Sequence, residues 1–215
     1  LYGVGGKNPL PVWRFLTSHV REWAVKLSGL ALVLLLPVGL AETLTPTQVV
    51  GSTMRLHFST KAAEDKSYQR LIRENTLKKS YTGPKGVFVT LSENGQPRAC
   101  WGSAYPQNKT VFEGIVYATL GALTKEYRYR PIRASEWTRL KRQVTVVKAV
   151  EPIERLSQVN PLRDGLLVRQ GGKAGVMLPG EAKDATYQLV QCKLKAGIRP
   201  NEKFQMYRMV ADVYQ

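Results

Sequence analysis

Two periods of apolar residues run through the chain and mark its elements. Val87-Phe-Val-Thr-Leu91 reads as a strand and Arg98-Ala-Cys-Trp101 as the strand returning beside it. Asn94-Gly95 between them suits a tight hairpin turn, which needs positive φ at both central positions. A period of 3.6 follows, with Phe112, Ile115, Val116, Thr119, Leu120 and Leu123 on one stripe. Thr110 and Glu113 open that helix as a capping box: the hydroxyl accepts from the Glu113 amide and the carboxylate reaches back. A helical turn near Ser135 to Leu140 leads into a strand predicted from Gln143 to Val150. A second hairpin is predicted from Gly165 to Gln170 and from Ala174 to Leu178, turned on Gly171-Gly172. Ala185, Leu189, Cys192 and Ala196 then share one helical face, and Gly197 supplies the stop. Phe204 to Val210 alternates as a last strand. A short helix is also predicted around Ser67 to Leu77, with Tyr68, Leu71 and Ile72 on one side. Two hairpins, a final strand and interspersed helices predict an α+β domain over residues 67–215, its sheet largely antiparallel and flanked by helices. Residues 42–66, polar at first, read as a linker.

Residues 1–41 carry a different pattern. Arg14, Arg21 and Lys26 precede an apolar run from Leu27 to Ala41, and Gly39 and Ala41 put small side chains just before Glu42. That is the order of a secretory signal peptide. As a helix the run spans about 22 Å, short of the roughly 30 Å hydrocarbon core, and Pro37 interrupts it. The reading is therefore a signal followed by a secreted or periplasmic domain. An uncleaved membrane anchor is the alternative, and membrane association is expected only in that case.

Charge changes the picture more than composition does. Lys and Arg total 32 against 16 acidic residues, a formal net charge of +16. A field of that sign attracts anionic ligands, anionic polymers and acidic partners. It fades over about 8 Å at physiological salt, so it favours encounter rather than specificity. Nucleic acid is not the expected partner, because no nucleic-acid-binding motif is present. With two histidines and two well-separated cysteines, no metal site or cofactor is expected either.

The stretch Gly86-Val-Phe-Val-Thr-Leu-Ser-Glu-Asn-Gly-Gln-Pro-Arg-Ala-Cys-Trp-Gly-Ser103 resembles the AMMECR domain family. Further matches keep register: Arg128-Tyr129, Gln143 to Ile153 ending in Glu-Pro-Ile, Arg163-Asp-Gly-Leu-Leu167, Gly175-Val-Met-Leu-Pro179 and Cys192-Lys-Leu-Lys-Ala-Gly197. The ordered series covers roughly residues 68–215, and the chain reads as an exported bacterial member. Ala99 stands where the family pattern has Gly, Trp101 replaces an aliphatic residue, Glu126 replaces Asp and Gly180 replaces Gln. The resemblance implies two unequal lobes with a cleft near the Arg-x-Cys motif, and no established activity.

Cys100 is the candidate nucleophile. A thiol attacks as thiolate, so it needs a base or a positive neighbour, and Arg98 two residues away is the candidate. The plainer alternative for Cys100 is a buried strand residue. The candidate ligand-binding set is Arg98, Cys100, Trp101, Gly102, Arg128, Tyr129 and Asp164, with Arg139, Lys141, Arg142, Tyr105 and Tyr127 nearby in sequence or pattern. The expected function is a binding or accessory domain whose basic cleft takes an anionic ligand or an unidentified protein partner. An enzyme using Cys100 with Arg98 is the alternative. Export also sets a measurable product: N-terminal sequencing of the secreted protein should begin at Glu42. A full-length, membrane-retained chain would replace the signal with an anchor.

Overall fold

The structure is a computed structural model that describes residues 41–59, 65–79, 81 and 83–215. Strand β1 (Glu42–Leu44) leads into helix α1 (Pro46–Ser59), and helix α2 (Asp65–Glu74) leads into strand β2 (Asn75–Leu77). The first hairpin is β3 (Val87–Glu93) and β4 (Gln96–Ser103). Helix α3 (Val111–Thr124) and a single 3-10 turn (Trp137–Arg139) precede the long strand β5 (Lys141–Ile153). The second hairpin is β6 (Asp164–Gln170) and β7 (Lys173–Met177), followed by α4 (Ala185–Ala196) and β8 (Gln205–Tyr214).

Local chemistry fixes the ends of these elements. Asn94 and Gly95 take positive φ, 51° and 77°, and fold β4 back onto β3. Thr110 Oγ1 accepts the Glu113 N–H at 3.1 Å, while Glu113 Oε2 reaches back one residue further than expected, to the Lys109 N–H at 2.9 Å. Asp184 caps α4, and Gly197 ends it in the left-handed region at φ 65°.

Residues 42–59 are not the linker that their polarity suggested. They form β1, paired in parallel with β2, and α1, which buries Val49, Val50, Thr53 and Met54 on one face. Thr45 and Gln48 exchange the two hydrogen bonds of a capping box, and Pro46 takes the first helical position. Gly51 and Thr53 interrupt the buried apolar residues Val49, Val50 and Met54, so the stripe is narrow. Residues 1–40, the greater part of the expected signal, lie outside the described residues. Among the described residues no helix is long and apolar enough to cross a membrane.

The main sheet has six strands, antiparallel throughout, in the order β4-β3-β5-β8-β6-β7. Val87, Val89, Leu91, Val144 and Val146 pack with α1 and α3 in one core cluster, and Leu166, Val168 and Met177 pack with α4 in a second. Tyr214 meets the first cluster and Met206 the second. They lie an even number of residues apart on β8, so both helix groups cover the same face of the sheet. The opposite face gathers Phe88, Val147, Leu167 and Met209 in a third, smaller cluster.

That opposite face is concave. Arg169 of β6 lies over the Tyr105 ring, just beyond β4, at 5.9 Å. In a flat sheet those two strands would stand about 19 Å apart. The described residues thus form one curled main sheet with helices outside, and the two lobes implied by the resemblance are not seen among them. Gly175 sets how closely α4 can lie on β7, since a Cβ there would come within 1.9 Å of the Cys192 carbonyl oxygen. Gly175→Val should lower stability by about 1–3 kcal/mol or more in urea denaturation. Gly172→Ala, which faces open space, should change it little.

Candidate functional site

The site is built around β4, an edge strand whose outer side pairs with no other strand among the described residues. Cys100 sits on this strand opposite Thr90, and its side chain joins the concave cluster. Both of its main-chain groups point outward. Glu126 Oε2 accepts the Cys100 N–H at 3.1 Å, and Arg128 Nη2 donates to the Cys100 carbonyl at 3.2 Å. Arg128 grips the same carboxylate through Nε at 2.9 Å and Nη2 at 2.5 Å, and its own N–H donates to Glu126 Oε1 at 3.0 Å. The Glu126–Arg128 fork thus offers β4 one acceptor and one donor, as a neighbouring strand would.

The Glu126 side chain is only 4% exposed. Burial pushes its carboxyl up, but the hydrogen bonds from Arg128 and from the Cys100 N–H outweigh that and hold it at about 2. The same pairing raises the Arg128 guanidinium further above its usual range. Arg128 also lies over the Tyr129 ring at 5.8 Å.

Arg98 does not take the role expected of it. Its guanidinium donates to the Arg130 carbonyl at 2.7 Å, the Pro131 carbonyl at 3.2 Å and Glu136 Oε1 at 2.8 Å. Glu136, buried, also receives Arg130 and the Arg133 N–H. Arg98 therefore ties the loop after α3 to the sheet and leaves little of itself for a ligand. Arg98 is the extra residue at a β-bulge, between Pro97 opposite Ser92 and Ala99 opposite Leu91. The regular alternation that would have set it beside Cys100 is broken there.

Burial pushes the Cys100 thiol up, with Glu181 adding to the rise. A hydrogen bond from Thr90 Oγ1, at 3.4 Å, and the charges of Arg128 and Lys195 pull the other way without reversing it. Its positive neighbours are therefore Arg128 and Lys195 rather than Arg98. A neutral thiol is a poor nucleophile.

Trp101 points to the other face of β4 and stacks on α3, where a Cβ at Gly121 would meet its indole at 2.0 Å. Ala99, the departure from the family pattern, is buried in the same helix-side core. A Cβ at Gly102 would lie 2.1 Å from the Val87 carbonyl oxygen, so this position must be glycine. Asp164 stands elsewhere, with its carboxylate accepting the Asn160 N–H at 2.9 Å in the turn before β6. Arg139, in the 3-10 turn before β5, pairs with Glu93 at the end of β3.

Between β4 and α3 lies an open cavity of about 550 Å³. Trp101, Gly102, Ser103 and Tyr105 line one side, and Gly114, Tyr117, Ala118 and Gly121 of α3 line the other. The charged residues of its lining are Lys85 and Lys125, with no carboxylate among them. Sequence reasoning missed both lysines and gave Glu126 no part in the site. The Glu126-x-Arg128 spacing was the available signal, since a period of two directs both side chains to one side of an extended loop. Among the described residues no three potential ligands of the His, Cys, Asp or Glu type come together to hold a metal ion.

Curled antiparallel sheet, helices on its convex face and a side-chain fork on its edge strand define an α+β domain with an open cleft beside β4. The sequence profile of the AMMECR1 family matches residues 53–215, and the chain belongs to that family. A protein of Methanocella arvoryzae is 32% identical over 153 residues, covering 65% of this chain and 77% of its own. A protein of Thermotoga maritima is 30% identical over 134 residues, covering 60% and 77%. The crystal structure of an uncharacterized protein from Pyrococcus horikoshii matches with a TM-score of 0.60 at 22% identity, covering 78% of this chain and 88% of that one. At that identity the likeness is one of fold.

Two outcomes test the electrostatics of this centre. Cys100 in the folded protein should react slowly with iodoacetamide below pH 8, and rapid labelling near pH 6 would restore the nucleophile reading. Glu126 is depressed from about 4.5 to about 2, so its stabilisation is complete above pH 4.5 and disappears as pH falls toward 2. Urea denaturation of Glu126→Gln should therefore show a deficit at pH 7 that narrows steadily below pH 4.5.

Proposed function

We propose that this domain is a binding module whose cleft beside β4 takes an anionic ligand or an acidic partner segment. The observation that carries the reading is the lining of the 550 Å³ cavity: aromatic, amide and small side chains, with Lys85 and Lys125 as its charges. Two lysines facing a cavity without a carboxylate leave positive charge to be neutralised by whatever enters. Trp101, Tyr105 and Tyr117 supply flat surface beside them. The thiol at Cys100, held neutral by burial, and Arg98, engaged by Glu136, both argue against nucleophilic chemistry. Export belongs to the same proposal, with the domain meeting its anionic partner in the secreted or periplasmic space.

Calorimetric titration tests the reading with hexaglutamate and with succinate as probes. Binding should weaken by about tenfold or more between about 0.05 and about 0.5 M salt. The double variant Lys85→Ala/Lys125→Ala should lose it while unfolding at the same urea concentration. No binding of either anion, or full binding by the double variant, would overturn the proposal.

A further inference from the structure

We infer that the ligand of this cleft is an extended acidic peptide segment that adds as a strand to the outer edge of β4 at Gly102. The inference rests on the anion-binding reading above and specifies what carries the charge. In an antiparallel ladder the N–H and C=O of one residue point the same way, and the direction reverses at each step. Both groups of Cys100 point away from β3, into the Glu126–Arg128 fork. The register from Ala99 to Ser103 is unbroken, so both groups of Gly102, two residues on, also point outward. Gly102 is solvent-exposed and lines the cavity.

The fork therefore fills one strand-pairing position on this edge, and no strand among the described residues takes the next. At the first, a carboxylate accepts and a guanidinium donates, which is what the main chain of a neighbouring strand does. An incoming segment would take the second position and abut the fork, which fixes its register. Exposed edges with free N–H and C=O groups are the sites at which peptides add as strands. The cavity of about 550 Å³ separates this edge from α3, which leaves width for a chain. Lys85 and Lys125 supply the charge that selects acidic side chains along it.

The probe is a capped heptapeptide of alternating glutamate and threonine, offered to the full chain. In a strand, alternate residues share both a side-chain direction and a main-chain direction. With glutamates toward the lysines, antiparallel addition uses the threonine main-chain groups against Gly102, and parallel addition uses the glutamate ones. N-methylation of the threonine amides or of the glutamate amides, in two separate peptides, should weaken binding about tenfold or more in one and spare the other. The Gly102 amide should exchange with solvent at least about tenfold more slowly with the unmodified peptide and at its free rate with succinate. Strand addition is overturned if both methylated peptides bind like the parent, or both fail equally, with Gly102 exchange unchanged. Succinate and the parent peptide binding in that case would leave the anion-binding reading standing. Neither binding would remove both.

Discussion

The need to satisfy outward-pointing main-chain groups on an edge strand organises this domain. An open sheet has two edges, and an unpaired, half-buried edge is both costly and sticky. Here a carboxylate and a guanidinium from the loop after α3 settle one position of that edge. The carboxylate is buried to do so and is kept charged by the arginine it holds. A buried charge stripped of its partner is strongly destabilising, so the fork, the loop and the edge form one unit. Glu136 extends the unit by holding Arg98 of the edge strand and Arg130 of the same loop. The residues that first suggested a ligand site are largely the ones that build this support, and the open cleft lies beside them.

Curling is what makes a cleft and a protected thiol compatible in so small a sheet. All the described helices that pack on the sheet lie on its convex side, so the concave side has only a short cluster of its own. Cys100 packs there, half-buried, against Phe88 and its neighbours, within electrical reach of Lys195 and Glu181 from later in the chain. The cavity opens on the other side of the same strand, against α3. β4 thus has a helix-side face, a concave face and an edge, and each carries a different kind of residue.

The elements of the sheet were legible because hairpin chemistry is local. Asn94-Gly95 and Gly171-Gly172 announce their turns, and the capping residues of α3 and α4 stand where their helices begin. The first helix was hidden because Gly51 and Thr53 dilute its buried face and its outer face is not strongly charged, although Thr45-Pro46-x-Gln48 was there to be read. The role of Arg98 was misread for a physical reason. A bulge removes the period-two rule on which its alignment with Cys100 depended. The lysines of the cleft were illegible because one precedes β3 and the other closes α3, and only tertiary packing brings those two places to one cavity. The fork lay between these cases: its spacing was visible, but the edge that it serves is a property of strand order.

Strand order has a further consequence, in the time domain of synthesis. β8, Gln205–Tyr214, pairs with both β5 and β6 at the middle of the sheet. A ribosome releases it only after both hairpins and all four described helices have been made. Until then β5 and β6 each present an unpaired flank, and the two halves of the sheet have no shared ladder to hold them in register. The nascent chain must carry two incomplete sheets side by side, exposed to mispairing, and join them in one late step across a large separation in sequence. Completion of the sheet thus waits on β8, whose pairing joins two half-structures into one.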